Sequence, residues 1–318
     1  MLLRLQSFRL SPAGYRRLTA LTVVALALII LTGAAVRLTG SGLGCPDWPS
    51  CTGRSLVASL SFHPMVEFLN RVITAVVTVA MVATVGGALL RRPFRPDLVR
   101  LSAWLVAGVV AQIVLGGLTV LYKLAAPFVM AHFMLSIALL GVAVVLHRRA
   151  GDAPTEARPL VGPHLVWLSR LMVGGAVFVL TAGTAAAGAG PLSGSPHAER
   201  LPFRFQAAAE FHATSAVLLI GLTLGLVVAA HQRGTPPGVQ RRARLLFLVM
   251  VAQGVIGYTQ YFLRVPAGLV ELHIAGATVL WVAALWFHLG LFVRPAPQVA
   301  AEPAHPAAVQ ERSLLARS

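Results

Sequence analysis

Residues 18–36 read LTALTVVALALIILTGAAV, with Arg16 and Arg17 before them and Arg37 directly after. A bilayer hydrocarbon core about 30 Å thick is crossed by roughly 20 apolar residues in a helix. This run has that length and is bounded by charge on both sides. Seven more runs of the same kind follow, at about 65–90, 101–122, 127–146, 165–187, 207–230, 245–262 and 269–292. Hydrocarbon offers no hydrogen bonds, so each run must be a helix or a strand of a closed barrel. Continuous Leu, Val and Ala without alternation select the helix. The expected fold is an all-α membrane protein of eight transmembrane helices.

The composition agrees. Of 318 residues, 57% are hydrophobic and 11% charged, against about 25% charged in a soluble domain. The net charge of +16 does not point to nucleic acid, because the basic residues stand in short clusters between apolar runs. One set comprises Arg4, Arg9, Arg16 and Arg17, then Arg91, Arg92, Arg95 and Arg100, then Arg148, Arg149 and Arg158. Arg233, Arg241, Arg242 and Arg244 continue it, and Arg294, Arg312 and Arg317 lie in the tail. Eight spans put all of these on one side, which the positive-inside rule makes the cytoplasm. The expected location is the cell membrane, multi-pass, with both termini cytoplasmic and the first long loop outside. A cleaved leader ending near Thr32-Gly33-Ala34-Ala35 is the weaker reading, because its lead is long and its apolar run nearly spans. From Arg294 on, Pro, Ala and Glu predict a disordered tail.

The chain carries an internal repeat. Gln112, Gly116, Thr119 and His132 recur 141 positions later as Gln253, Gly257, Thr259 (offset by one) and His273, while Asn70 and His212 differ by 142. This predicts two parallel four-helix halves, 1–150 and 151–293, followed by the tail 294–318. An even number of helices per copy makes both copies point the same way.

His132, His212 and His273 each fall one to two turns inside a helix that starts at the outer face. Ionisable groups in a membrane are costly and are functional by default. Neutral imidazole is a good iron ligand, and His212 and His273 from facing helices suit a haem iron clamped from both sides. A structural hydrogen-bonding role is the competing reading. Glu67, Glu210 and Glu271 precede Asn70, His212 and His273 by two or three residues. They suit proton transfer, ligand orientation or a plain interfacial position. His63, Glu67 and Asn70 share one helical face. Cys45 and Cys51 are the only cysteines. An outer loop favours a disulfide between them, either a staple or a reducible pair. Gln112 and Gln253 suit interhelical hydrogen bonds or a cavity lining, and the glycines after them allow close approach of a helix or a flat ring.

The stretch from Val36 to Cys51, VRLTGSGLGCPDWPSC, resembles the first-loop signature of haem A synthases. The Gln-x3-Gly elements and the histidines of the fourth, sixth and eighth helices fit the same family. The resemblance implies an eight-helix membrane oxidoreductase of cytochrome oxidase assembly. It would oxidise a methyl group of haem O to the formyl group of haem A by successive hydroxylations. It implies a haem b cofactor held by His212 and His273 in the C-terminal half. The substrate haem would sit in the N-terminal half on His132, with Glu67 important for the reaction and Cys45 and Cys51 matching the family pair. The family pattern in the second helix is Glu-x-x-His-Arg, whereas here it reads Glu67-Phe68-Leu69-Asn70-Arg71. Asn is a poor iron ligand, so either His132 holds the substrate iron alone or His63, on the same face, contributes. Arg37 and Arg71 are candidates for the haem propionates, or anchors of the membrane edge. Expected partners are haem O, the lipid bilayer, a haem O synthase and an electron donor, with a homo-oligomer also compatible. Two other readings stand beside this one: a haem b electron-transfer cytochrome without oxygenation chemistry, and a transporter built on a parallel repeat.

Overall fold

The structure is a computed structural model, and it describes residues 9–53, 55–195 and 198–295. Of the expected tail Arg294 and Pro295 are described; the rest, with Arg312 and Arg317, and Arg4 of the leading arm lie outside the described residues. Eight helices long and apolar enough to cross a membrane account for most of the chain. They are α1 (Pro12–Leu38), α2 (Phe62–Leu90), α3 (Pro96–Leu121) and α4 (Ala126–Gly151). The second set is α5 (Pro163–Ala189), α6 (Phe205–Gln232), α7 (Pro237–Phe262) and α8 (Ala267–Leu289).

Most bounds extend beyond the apolar runs, for a local reason. Five helices carry Pro at their first or second position, where its missing N–H is no loss and its fixed φ suits the helix. Helix α1 is also capped by Ser11, whose hydroxyl accepts the Gly14 N–H at 3.1 Å. Helix α7 begins eight residues before the expected 245, at Pro237, because Gln240, Arg241, Arg242 and Arg244 are helical. Charged residues continue a helix out of the hydrocarbon, and an apolar count stops short of them. At the far end α8 stops at Leu289 rather than 292. Phe292–Val293 (β2) instead pair antiparallel with Arg158–Pro159 (β1).

Helix adjacency gives two rings. In the first, α2 lies beside α1 and α3, and α4 beside α3 and α1. In the second, α6 lies beside α5 and α7, and α8 beside α7 and α5. The rings meet where α4 packs on α5 and α8, and α1 on α8. Across this seam the buried Trp281 donates its indole N–H to the Ile137 carbonyl at 2.9 Å, and Gly141 leaves room for its ring. Side chains such as Leu21, Val79, Trp104, Leu218 and Val279 remain exposed on the outside. A bilayer solvates such a surface; water would not.

The two turns joining α3 to α4 and α7 to α8 share one geometry. Lys123 and Leu124 have φ of 51° and 62°, and Arg264 and Val265 have φ of 60° and 61°. In each, the second residue's N–H closes onto a carbonyl five residues back, Leu124 on Thr119 at 2.8 Å and Val265 on Gln260 at 2.7 Å. A leucine and a valine in this left-handed region are strained.

The opposite end of the molecule collects arginines. Leu10 exchanges backbone hydrogen bonds with Leu90 and Arg92, and the Leu160 N–H donates to the Leu291 carbonyl at 2.8 Å. Arg91, Arg92, Arg95, Arg148, Arg149 and Arg294 lie in the segments gathered there.

Candidate functional site

At the cysteine end, His132, His212 and His273 are the seventh, eighth and seventh residues of α4, α6 and α8. At 1.5 Å per residue that sets all three about 10 Å below their helix starts.

The structure brings His212 and His273 together. Their ring centres are 6.2 Å apart, with the planes at 89°. The Nδ1 of His212 lies 3.1 Å from the Val179 carbonyl of α5. A carbonyl only accepts, so Nδ1 carries the proton and Nε2 keeps the lone pair. Two metal–nitrogen bonds of about 2 Å, with about 1 Å from each nitrogen to its ring centre, span roughly 6 Å. The observed separation therefore fits one iron between two imidazoles. A porphyrin would supply the remaining four nitrogens, and the residues present fit a haem here. Glycines make the space: a Cβ on Gly183 would stand 3.0 Å from His212, and one on Gly257 3.3 Å from His273. Near them, His273 Nδ1, Gln253 Oε1 and Glu271 Oε2 are buried without a hydrogen-bond partner among the described residues. Glu210 differs. It is exposed and accepts a bond from Gln206 at 2.8 Å, as an interfacial residue does.

His132 repeats the His273 arrangement in the first ring. A Cβ on Gly116 would meet its ring at 3.2 Å, and its Nδ1 is buried without a partner among the described residues. Gln112 of α3 fixes the backbone beneath it, donating to the His132 carbonyl at 2.9 Å and to Ser136 Oγ at 2.5 Å. Gln112 Oε1 is left without a partner among the described residues.

Helix α2 divides its polar face among different tasks. The Asn70 carboxamide oxygen accepts the Thr32 hydroxyl at 2.8 Å, tying α2 to α1. His63 is exposed, its Nδ1 lies 3.0 Å from Ser41 Oγ, and its ring packs edge-on to Phe62. Its hydrogen-bond and ring partners thus do not include His132 or Glu67. Glu67 is 5% exposed. Its Oε2 accepts the Cys45 N–H at 2.8 Å, and its Oε1 accepts Arg71 Nη2 at 2.6 Å.

Cys45 and Cys51 form a disulfide. Arg71 holds the ring they close, donating to the carbonyls of Cys45, Asp47 and Ser50 at 3.0–3.1 Å. Arg71 thus fixes the loop to α2. Arg37 is engaged as well, donating to the Ala187 carbonyl at 2.7 Å and so linking α1 to α5. The sequence reading missed Trp48. A Cβ on Gly117 would stand 2.8 Å from its indole, so the loop's tryptophan lies flat against α3 one residue beyond the glycine that faces His132. The pair Gly116-Gly117 was the available signal: one glycine serves the imidazole and the other the indole.

These elements define a class: a polytopic α-helical membrane protein with imidazoles set at one depth and a disulfide-closed loop over one of its two helix rings. The sequence matches the cytochrome oxidase assembly protein family (COX15-CtaA) over residues 16–61 and 57–285. The chain belongs to that family. A haem A synthase of Geobacillus thermodenitrificans is 36% identical over 118 residues, which is 36% of this chain and 36% of that protein. A haem A synthase of Shewanella oneidensis is 26% identical over 307 residues, 83% of this chain and 92% of its own length. A protoheme IX farnesyltransferase of Halobacterium salinarum is 29% identical over 175 residues, 46% of this chain and 39% of that protein.

Proposed function

We propose that this protein is a haem A synthase, oxidising a methyl group of haem O to the formyl group of haem A by successive hydroxylations. The observation that carries the proposal is the His212–His273 pair, 6.2 Å between ring centres, with His212 oriented by the Val179 carbonyl. A haem b held between these histidines would supply one-electron transfer. Family membership and the relatives named for haem A synthesis support the reaction.

On this reading residues 151–293 are the cofactor half and 1–150 the substrate half. His132 presents its ring to the substrate iron from α4, against Gly116. Asn70 is assigned no ligand role, because its oxygen is held by Thr32. His63 is the second candidate at the substrate. Glu67 acts by holding the loop whose Trp48 covers α3. The arginine-rich end is assigned to the cytoplasm and the cysteine loop to the outer side of the cell membrane. Likeness to a protoheme IX farnesyltransferase supports a partner that attaches a farnesyl chain to protohaem before this enzyme acts. An electron donor completes the partners.

The test is extraction and chromatography of the haems bound to the protein when it is expressed with a haem O supply. Haem b together with haem A, or with a hydroxylated haem O, is the expected result. Haem b alone, with haem O unchanged in the membrane, replaces this reading with that of an electron-transfer cytochrome.

A further inference from the structure

At the arginine-rich end, a cavity of about 570 Å³ opens among three segments far apart in sequence. They are the turn before α3 with its first residues, the end of α4 with the loop that follows it, and Arg294. Its lining includes Arg95, Arg100, Arg149 and Arg294, with Asp97 and Glu156 as its acids. Hydrogen bonds between the segments hold the walls. Arg95 Nη1 donates to the Asp152 carbonyl at 3.0 Å, and the Thr155 hydroxyl to the Pro295 carbonyl at 2.7 Å. Arg294 donates in turn to the Thr155 carbonyl.

The charges do not balance. Asp97 is taken up by Arg95 in a two-pronged pair, both bonds 2.8 Å. Arg149 reaches that carboxylate only at 3.9 Å. Arg294 is bonded to a neutral carbonyl, and Arg100 has no hydrogen bond or ion pair among the described residues. Glu156 alone is left to answer Arg100, Arg149 and Arg294. Nearby, burial presses the Arg91 guanidinium below its usual value, and the Arg95 charge adds to that.

We infer that this cavity is a phosphate-binding site, occupied by the headgroup of an anionic membrane lipid. Guanidinium forks match phosphate oxygens in shape as well as charge, and basic pockets at the ends of membrane helices suit acidic headgroups. The lipid form is favoured by what adjoins the cavity. Phe94 on its rim is half exposed, and Trp104, four residues after Arg100 on the same face of α3, is 69% exposed. A phosphate at Arg100 would continue directly into acyl chains along Trp104. Free phosphate shares the headgroup chemistry but leaves that apolar face unused.

The test is native mass spectrometry of the full, delipidated chain with cardiolipin, phosphatidylcholine or inorganic phosphate. Cardiolipin is expected to bind at least tenfold more tightly than phosphatidylcholine and to survive millimolar phosphate. Arg100→Ala with Arg149→Ala should weaken it by about tenfold for each arginine removed, whereas Arg241→Ala with Arg244→Ala should not. Arg100→Lys with Arg149→Lys should bind more tightly than the alanine pair and less tightly than the unaltered chain. Displacement by inorganic phosphate would overturn the lipid assignment. Equal binding of both lipids, or unchanged binding by the alanine pair, would overturn the site. Should the alanine pair fail to fold, the selectivity of the unaltered chain decides.

Discussion

Glu67 and Cys45 are joined by a 2.8 Å hydrogen bond from the Cys45 backbone N–H to the Glu67 carboxylate, while Arg71 grips the other oxygen. One buried carboxylate thus fastens the disulfide loop to α2. Removing it takes the Arg71 charge's carboxylate partner away and loosens the loop at Cys45, though Arg71 still holds the loop carbonyls, at a cost on the order of 3 kcal/mol. Glu67→Ala should lower haem O turnover while haem b stays bound, and should expose the Cys45–Cys51 bond to mild reductants. Glu67→Gln, which keeps an acceptor for Cys45, should retain more activity. Thiol labelling after brief reduction, read beside turnover, checks both. Normal turnover in the alanine variant would remove Glu67 from the reaction.

On the proposed reading, His212→Ala and His273→Ala should each abolish the haem b absorption spectrum of the purified protein, because either change would break the two-imidazole clamp. His132→Ala should leave that spectrum intact and stop conversion of haem O. An unchanged spectrum in the first two variants would dismiss them as ligands.

The glycines against the histidine rings allow a sharper separation of the two sites. A Cβ on Gly257 would stand 3.3 Å from His273, and one on Gly116 3.2 Å from His132. Valine adds two further carbons at each place and must push the ring. Gly257→Val should lower haem b content severalfold. Gly116→Val should leave haem b in place and lower product formation severalfold. Haem quantification alongside product analysis distinguishes them, and matching losses in both variants would refute the division of labour.

Trp281→Phe removes the one indole bond across the seam between the helix rings, Nε1 to the Ile137 carbonyl. The ring volume is partly kept, so the loss should be about 1 kcal/mol. Thermal unfolding in detergent should show a fall of roughly 2–4 °C. A larger drop would mean that the seam depends on the indole's shape as well as its bond.

The eight helices were legible because hydrocarbon leaves a chain so few alternatives, and the depth of the histidines followed from helix starts. Helix ends such as Pro237 were not, since arginines extend α7 beyond its apolar part. The family pattern identified Glu67 but not its occupation. Its partners are a loop N–H 22 residues back in the chain and a guanidinium shared with four loop carbonyls, which no periodicity records. The Val179 carbonyl that orients His212 is backbone, so its residue type carries no signal. Trp48 was hidden for a different reason: its partner is a glycine, legible only as the room it leaves.

Helix α4 carries His132, α8 carries His273, and the two pack directly on each other. Close-packed helices keep their axes about 8–10 Å apart. On the proposed reading, an electron travelling between cofactor and substrate would cross a single wall of fixed thickness. The length of that jump is then built into the protein interior, and loop movement at either surface should leave it unaltered.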